Sequence, residues 1–327
     1  VVPASGRTGL TGATLAQDAL MLSVERLNEI TEINAVARTA TVGAGVILST
    51  LHDAAAKHDL IFPLTLGARG SAMIGGLLST NAGGSNVVRY GSTRGLCLGL
   101  EVVMADGRIM NLMSALHKDN SGLDLRNLVI GAEGTLGIIT AAVLKLRPKP
   151  QAYATAMVAV PSLADALTLL HRLQDETGGG VEAFEYMPRS YIDKHRQLFK
   201  DSQLPFDTEY DVNIMIEVAA TMARDAVQNP DGSLPVVTAL EETLGQMLDE
   251  GTVLDAVIAQ NETQRRAIWK RREDAGEVAF FGGVFVNTDV ALPLDKIAAF
   301  EAMLTPRIKA IDPDASEVIV AHLGDGN

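Results

Sequence analysis

The sequence predicts an α+β protein of two domains, and three observations lead there. The chain has 327 residues, enough for about two domains at roughly 150 residues each. Its composition changes across Pro150. Of the 30 glycines, 19 lie before that point, and the net charge passes from +2 (13 basic, 11 acidic residues) to −15 (14 basic, 29 acidic). The hydrophobic pattern changes too: short strand-like runs between glycine turns give way to alternating strands and helices. The join is Arg147-Pro148-Lys149-Pro150, where two prolines remove backbone donors and favour extended chain. The expected domains are 1–149 and 150–327.

Composition narrows the classes further. With 47% hydrophobic and 20% charged residues the chain can bury a full core, which excludes disorder. No apolar run approaches the ~18 residues of a membrane span. A single cysteine, Cys97, excludes an internal disulfide framework and suits a reducing, cytoplasmic setting. The net charge of −13 gives no general nucleic-acid footprint. The start at Val1 shows no targeting signal, and the stop at Asn327 falls inside a Gly-Asp-Gly turn, so both termini are expected to be truncated.

In the first domain the best helix is 46–57, with Ile47, Leu51, Ala54 and Ala55 on one face. Residues 98–105 and 108–112 flank Asp106-Gly107, a pair expected to form a type I′ hairpin turn. A β-rich run covers 137–146. In the second domain a strand at 155–160 precedes a helix from the N-cap Ser162 to about 177, then a strand at 181–187. Val212, Ile214, Ile216 and Val218 alternate as in a half-buried strand. Helices are expected at 235–249, 261–280 and 293–310, strands near 252–258, 283–290 and 317–321, with the helices over one face of the sheet.

The glycines point to a ligand. There is no P-loop, and Gly43-Ala44-Gly45 is followed by Leu48 where a dinucleotide fingerprint needs its third glycine. HExxH and G-x-S-x-G are absent. Four glycine clusters remain: Ser5-Gly6-Arg7-Thr8-Gly9-Leu10-Thr11-Gly12, the run from Pro63 to Gly76, Asn81-Ala82-Gly83-Gly84, and Gly131 to Ile138. Such density lets backbone N–H groups converge on an anion. One cluster alone is equally an ordinary turn; four in one domain favour a cofactor bed, since a flat ring system needs close main-chain approach.

These segments, above all PLTLGARGSAMIGGLLSTNAGG (63–84), RYGSTRGLCLGLEVVMADG (89–107) and LVIGAEGTLGIIT (128–140), resemble the vanillyl-alcohol-oxidase / p-cresol-methylhydroxylase (PCMH) flavoproteins. The closer resemblance is to their FAD-dependent 2-hydroxy-acid dehydrogenase branch, which holds D-lactate dehydrogenase, the glycolate oxidase flavin subunit and D-2-hydroxyglutarate dehydrogenase. The resemblance implies a PCMH-type FAD-binding domain at 1–149, lacking its N-terminal unit, and an incomplete α+β substrate (cap) domain with an antiparallel-rich sheet at 150–327. It places Gly6, Arg7, Thr8 and Gly9 along the FAD pyrophosphate, and Pro63, Gly67, Ser71, Ile74, Gly75, Gly76, Asn81, Ala82 and Gly83 around the isoalloxazine and ribityl chain. Glu133, Gly134, Gly137 and Ile138 would meet the adenosine side. No histidine precedes His52, which implies a non-covalent flavin.

In the second domain Trp269-Lys270-Arg271-Arg272-Glu273 is similar to the family's W-x-x-R-E, whose arginine binds the substrate carboxylate. That role passes to Arg272, although charge pattern alone makes Arg265, Arg266, Lys270, Arg271 and Arg272 a solvated helix face. Gly276 stands where hydroxyglutarate members have Thr, and Asn287 where they have Lys, which implies a lactate-, glycolate- or malate-like substrate. Ala321 to Asn327 is similar to the family's G-H-x-G-D-G-N-x-H. It implies His322 as a ligand of a divalent metal such as zinc, whose other ligands lie beyond Asn327, with Asn327 also catalytic; without metal, His322 could be the base. His52, His58, His117, His171 and His195 are read as surface or packing residues. The implied reaction is oxidation of a D-2-hydroxy acid by hydride transfer to flavin N5, with electrons passing to an electron-transfer flavoprotein, a quinone or a cytochrome, in a homodimer. The competing readings are a transferase of the alkyl-glycerone-phosphate synthase type and a flavin-binding module without turnover.

Overall fold

The computed structural model describes residues 1–281 and 286–327, and the chain folds as two compact units, Val1–Lys149 and Pro150–Asn327.

In the first unit five strands form one antiparallel sheet, in the order Ile30–Asn34, Thr39–Gly43, Ile138–Lys145, Cys97–Val103, Ile109–Leu112. The three inner strands bury Ala40, Val42, Leu100, Val102, Ala142 and Leu144, and these join one core with Leu48, Leu51, Ile74 and Leu78 from the helices Leu48–Ala56 and Ile74–Ser79. The first of these helices is shorter than its pattern predicts, and its buried face is Leu48, Leu51 and Ala55. Ile47 stays extended because it bridges to Met73, which ties together the starts of the two helices.

The expected hairpin forms, but with a wider loop. Only Gly107 enters the left-handed region, at φ +85°, while Met104 N–H donates to the Arg108 carbonyl at 2.9 Å. Asp106 uses its carboxylate instead, accepting from the Arg108 N–H at 3.1 Å, so the side chain shapes the turn in place of a second positive φ. Gly43 and Gly45 also have a plain structural cause. A Cβ on either would lie 2.2 Å from a carbonyl oxygen, of Leu27 and Val24 respectively, so the pair admits a neighbouring chain segment.

The second unit is built on a four-stranded antiparallel sheet, ordered Val181–Pro188, Val212–Ala220, Ala152–Val160, Asp255–Ile258. All nine residues of Val212–Ala220 are buried, so this strand is covered on both sides rather than half-buried. One face presents Met157, Ala159, Ala183, Met187 and Met215 to Ile268, Tyr191, Ile192 and Val278. The alternate residues, among them Val158, Ile214 and Ile216, are equally buried, and the helices Leu163–Glu176 and Pro235–Asp249 pack on the same strands. Helices therefore lie over both faces, not one. The pattern misleads at Asn213 and Glu217, whose polarity reads as solvent-facing although both are buried.

Ser162 caps its helix as expected, accepting from the Asp165 N–H at 3.2 Å. The single helix expected over 261–280 is two, Glu262–Glu273 and Ala275–Phe280, broken at Asp274, whose carboxylate is engaged elsewhere. Residues 293–310 hold a short 3₁₀ turn, Leu294–Lys296, and the helix Ile297–Ile311. Of the expected strand at 283–290, residues 283–285 lie outside the described residues, and 286–290 form none. At 317–321 only Ala321 pairs, bridging to Tyr186 on the edge strand. Among the described residues no helix is long and apolar enough to cross a membrane.

Candidate active site and cofactor cradle

The glycine clusters of the first unit converge. Ser5 and Gly6 tie the first cluster to the second: Ser5 Oγ accepts from the Gly76 N–H at 3.1 Å, and a Cβ on Gly6 would stand 2.2 Å from the Ser71 carbonyl oxygen. The end of the helix Ile74–Ser79 then meets the fourth cluster. Gly131 N–H donates to the Leu78 carbonyl at 3.0 Å and Glu133 N–H to that of Ser79 at 2.8 Å. Segments 5–6, 71–84 and 131–134 thus form one continuous surface.

Three of the residues expected at the cofactor, Arg7, Asn81 and Glu133, have positive φ at 52°, 50° and 52°. Side-chain-bearing residues hold that conformation only where surrounding contacts impose it, which is common at ligand clamps. Gly9 and Gly67 are exposed, with no atom within 4 Å of where a Cβ would stand, so the space beside them is open. This open, glycine-walled surface fits a dinucleotide with a flat ring. Other members of the expected set are already committed. The amides of Ile74 and Gly75 donate to Val46 and Ala44, and the Ile74 side chain lies in the core. Ala82 N–H donates to Leu77, Pro63 is buried, and Ile138 begins a sheet strand. These residues set shape; their amides or side chains serve the fold.

In the second unit the structure brings Arg272 and His322 together on a residue the sequence reading missed, Glu185. Arg272 Nε donates to Glu185 Oε2 at 2.6 Å, and His322 Nδ1 stands 2.8 Å from Oε1. Arg272 Nη2 lies 3.5 Å from both imidazole nitrogens. Glu185 is fully buried on the edge strand Val181–Pro188. Burial pushes its pKa up, but Arg272 and His322 outweigh that and hold it below the usual carboxylate value, so it is ionised. The placement of His322 is set by main chain: Tyr186 and Ala321 exchange N–H···O=C bonds of 2.8 and 3.1 Å, which lays His322 beside Glu185.

The helix Glu262–Glu273 is seated by a second buried carboxylate. Glu217 accepts from Arg265 Nε and Nη2 and from Trp269 Nε1, each at 2.7 Å, and from the Thr155 hydroxyl at 2.7 Å. Arg265, Trp269 and Arg272 occupy positions i, i+4 and i+7 of that helix, one face turned to the sheet. This face is half-buried and paired, so the solvated-face reading fails for Arg265 and Arg272, and it fails for Arg271, which is buried; Arg266 and Lys270, 78% and 66% exposed at their side chains, are the solvated members. Beyond Arg272, Asp274 binds His195 Nε2 at 3.0 Å and Lys270 Nζ at 2.7 Å. His195 is a packing residue, as expected.

One expectation is corrected. Asn327 does not join Glu185 and His322 through its side chain: its amide donates to Asp289 Oδ1 at 2.5 Å and to the Val290 carbonyl at 3.0 Å. His322 is the single metal ligand expected within this chain, and its Nδ1 is already engaged by Glu185. Among the described residues no three His, Cys, Asp or Glu side chains are grouped to hold an ion, and both Glu185 oxygens are already taken by Arg272 and His322. Those donors do not fit a divalent metal, and no step below passes through one. Gly276 faces open space and Asn287 is exposed.

Residues 1–113 match the FAD binding domain family, and residues 149–327 match the C-terminal domain of FAD linked oxidases. The chain is similar to the D-2-hydroxyglutarate dehydrogenase of Xanthomonas citri pv. viticola, 36% identical over 328 residues, covering all of this chain and 66% of that protein. It is likewise similar to the mitochondrial D-2-hydroxyglutarate dehydrogenase of Bos taurus, 36% identical over 333 residues, covering all of this chain and 58% of that one. The chain therefore spans less than two thirds of the length of both relatives. A solved alkyldihydroxyacetonephosphate synthase matches with a TM-score of 0.61 at 20% identity, over 86% of this chain and 51% of that one, a likeness of fold alone.

Proposed function

Since the chain belongs to the FAD-linked oxidases, in the branch of the FAD-dependent 2-hydroxy-acid dehydrogenases, we propose that it oxidises a D-2-hydroxy acid to the 2-oxo acid. The observation that carries this reading is the buried Glu185 carboxylate joining Arg272 to His322. A clamp for a carboxylate and a base for a hydroxyl are the two groups this oxidation requires, and one anion holds both.

In the proposed reaction Arg272 commits its Nε edge to Glu185 and offers its Nη groups to the substrate carboxylate. A planar fork fixes the orientation of the adjacent C2 as a point charge would not. His322 donates its Nδ1 proton to Glu185, which fixes the tautomer with Nε2 as acceptor for the C2 hydroxyl proton. A base so placed contributes typically ~10²–10⁴-fold. Bound FAD supplies the two-electron acceptor for the C2 hydride. Its site is the glycine-walled surface of the first unit, with Gly6, Arg7, Thr8 and Gly9 toward the pyrophosphate, Gly67, Ser71, Gly76, Asn81 and Gly83 toward the ring and ribityl chain, and Glu133, Gly134 and Gly137 toward the adenosine. The flavin is held without a covalent bond, in keeping with a loop Ser5 to Gly12 that carries no histidine.

A lactate- or glycolate-like substrate accords with Gly276 and Asn287, neither of which offers a cation to a second carboxylate; a malate-like one needs its second carboxylate held elsewhere. Electrons leave to an electron-transfer flavoprotein, a cytochrome or a quinone. A cytoplasmic place accords with the lone, buried Cys97, although the Bos taurus relative is mitochondrial. The test is anaerobic mixing of the FAD-loaded protein with a panel of chiral 2-hydroxy acids. Bleaching of the flavin by the D-enantiomer of one of them supports the reading, and a flavin that every member leaves oxidised removes it.

A further inference from the structure

We propose that Arg94 is a positioning residue for the cofactor cradle, fastening its 81–84 wall to its 127–133 wall while leaving the ligand to others. The proposal rests on the FAD reading of this unit and adds a residue to it. Arg94 reaches both walls at once. Its backbone N–H donates to Asn81 Oδ1 at 2.9 Å, and Thr93 beside it sends both its N–H and its hydroxyl to the Ala82 carbonyl, at 3.1 and 2.6 Å. Its guanidinium points the other way. Nη1 donates to the Asn127 carbonyl and Nη2 to that of Ile130 at 2.5 Å, at the end of the short helix Leu125–Val129.

Three features make this more than a surface contact. The bridged groups lie 13, 33 and 36 positions from Arg94, so no local turn can replace it. Asn81 and Glu133, the first residue of one wall and the last of the other, carry positive φ, a conformation that needs outside support. At Gly131 the walls touch: a Cβ there would stand 3.0 Å from Arg94 Nη2 and 3.4 Å from Asn81 Cβ. Only a guanidinium forks to two carbonyls from one half-buried position. A lysine keeps the backbone bond to Asn81 but supplies a single point donor in place of the fork, so it reaches only one of the two carbonyls of the 127–133 wall.

The experiment compares the parent protein with Arg94→Lys and Arg94→Ala by titrating each FAD-free protein with FAD, following flavin fluorescence, and by measuring the thermal midpoint of each FAD-free form. The expected result is an FAD Kd raised about tenfold or more in both variants, as for one or more lost charge-assisted bonds, with the midpoint of the FAD-free protein unmoved. An unchanged Kd in both variants, beside a parent that binds FAD, overturns the proposal and leaves the FAD reading intact. A Kd that rises only together with a fall in the midpoint assigns Arg94 to general folding and also overturns it. A parent that takes up no FAD defeats the cofactor reading itself.

Discussion

His322 sets its Nδ1 2.8 Å from Oε1 of Glu185, across 137 positions of sequence. The contact follows from a single pair of main-chain bonds, Tyr186 with Ala321, that docks the C-terminal segment on the edge strand. The sheet register therefore decides where the imidazole stands, and the carboxylate decides which of its nitrogens can accept a proton. Arg272 arrives at the other oxygen of the same carboxylate, so the two side chains share one anchor.

Glu185→Gln removes that anchor. A glutamine has one acceptor oxygen and cannot receive both Arg272 and His322. The expected outcome is a fall in kcat/KM for the best D-2-hydroxy acid of about 100-fold, or ~2.7 kcal/mol of transition-state stabilisation. Steady-state kinetics decides it, and an unchanged kcat/KM separates Glu185 from the chemistry.

Arg272→Ala and Arg272→Lys separate charge from fork geometry. Both should raise KM, by about 10- to 100-fold, because an ammonium cannot pair with Glu185 and a substrate carboxylate in one plane. Flavin content, read from the visible spectrum, should stay at the parent value in both. Recovery of the parent KM in the lysine variant would show that charge alone suffices.

Glu217→Gln tests how the helix bearing Arg272 is seated. Removing one partner from a buried pair typically costs about 3–5 kcal/mol, and Arg265 and Trp269 both lose a charged acceptor. Urea unfolding measures the loss, with Trp269, the one tryptophan of the chain, as fluorescent reporter. Stability within error of the parent would mean that packing around Ile268 seats the helix by itself.

How much of this was legible in the sequence differs between the two units. In the second unit the four sheet strands, the Ser162 cap and the helices Leu163–Glu176 and Pro235–Asp249 follow from pattern because each is fixed by its own residues, whereas the expected helix over 261–280 breaks and the strand expected at 317–321 reduces to the bridge at Ala321. Glu185 and Glu217 were not legible. Each sits in an otherwise apolar run, and an alternating reading sends such a residue to solvent. Their partners come from a helix 87 and 48 positions away, a distance no local pattern spans. The i, i+4, i+7 spacing of Arg265, Trp269 and Arg272 was the available signal, since two cations and a tryptophan on one helical face fit a carboxylate-bearing wall better than water. In the first unit the glycine clusters were plain, yet their division of labour was not: Gly43 and Gly45 relieve a close chain crossing, whereas Gly9 and Gly67 open onto free space.

His195 gives a pH dependence. Burial lowers its pKa, against the opposing pull of Asp274, whose charge Lys270 also meets. A histidine depressed in the fold stabilises above its unfolded pKa of about 6.5 and loses that contribution as pH falls toward the folded value. The thermal midpoint should therefore drop below about pH 6.5, and His195→Asn should flatten that part of the profile. Parallel profiles for the two proteins would remove His195 as the cause.

Cys97 should be inert. Burial pushes its thiol up to about 12, and its Sγ contacts the Gly99 carbonyl. At pH 8 only on the order of one thiol in 10⁴ would be ionised, so a thiol reagent should react fast only after unfolding. Rapid labelling of the native protein would contradict this.

The most direct test of the shared anchor is the rate of anaerobic flavin reduction against D-2-hydroxy-acid concentration, compared between the parent and Arg272→Ala. The account expects the variant to keep its flavin and to need far more substrate for half-maximal rate, with a lower limiting rate because an unclamped C2 is poorly aligned. Superimposable curves would contradict it and place the substrate carboxylate somewhere other than Arg272.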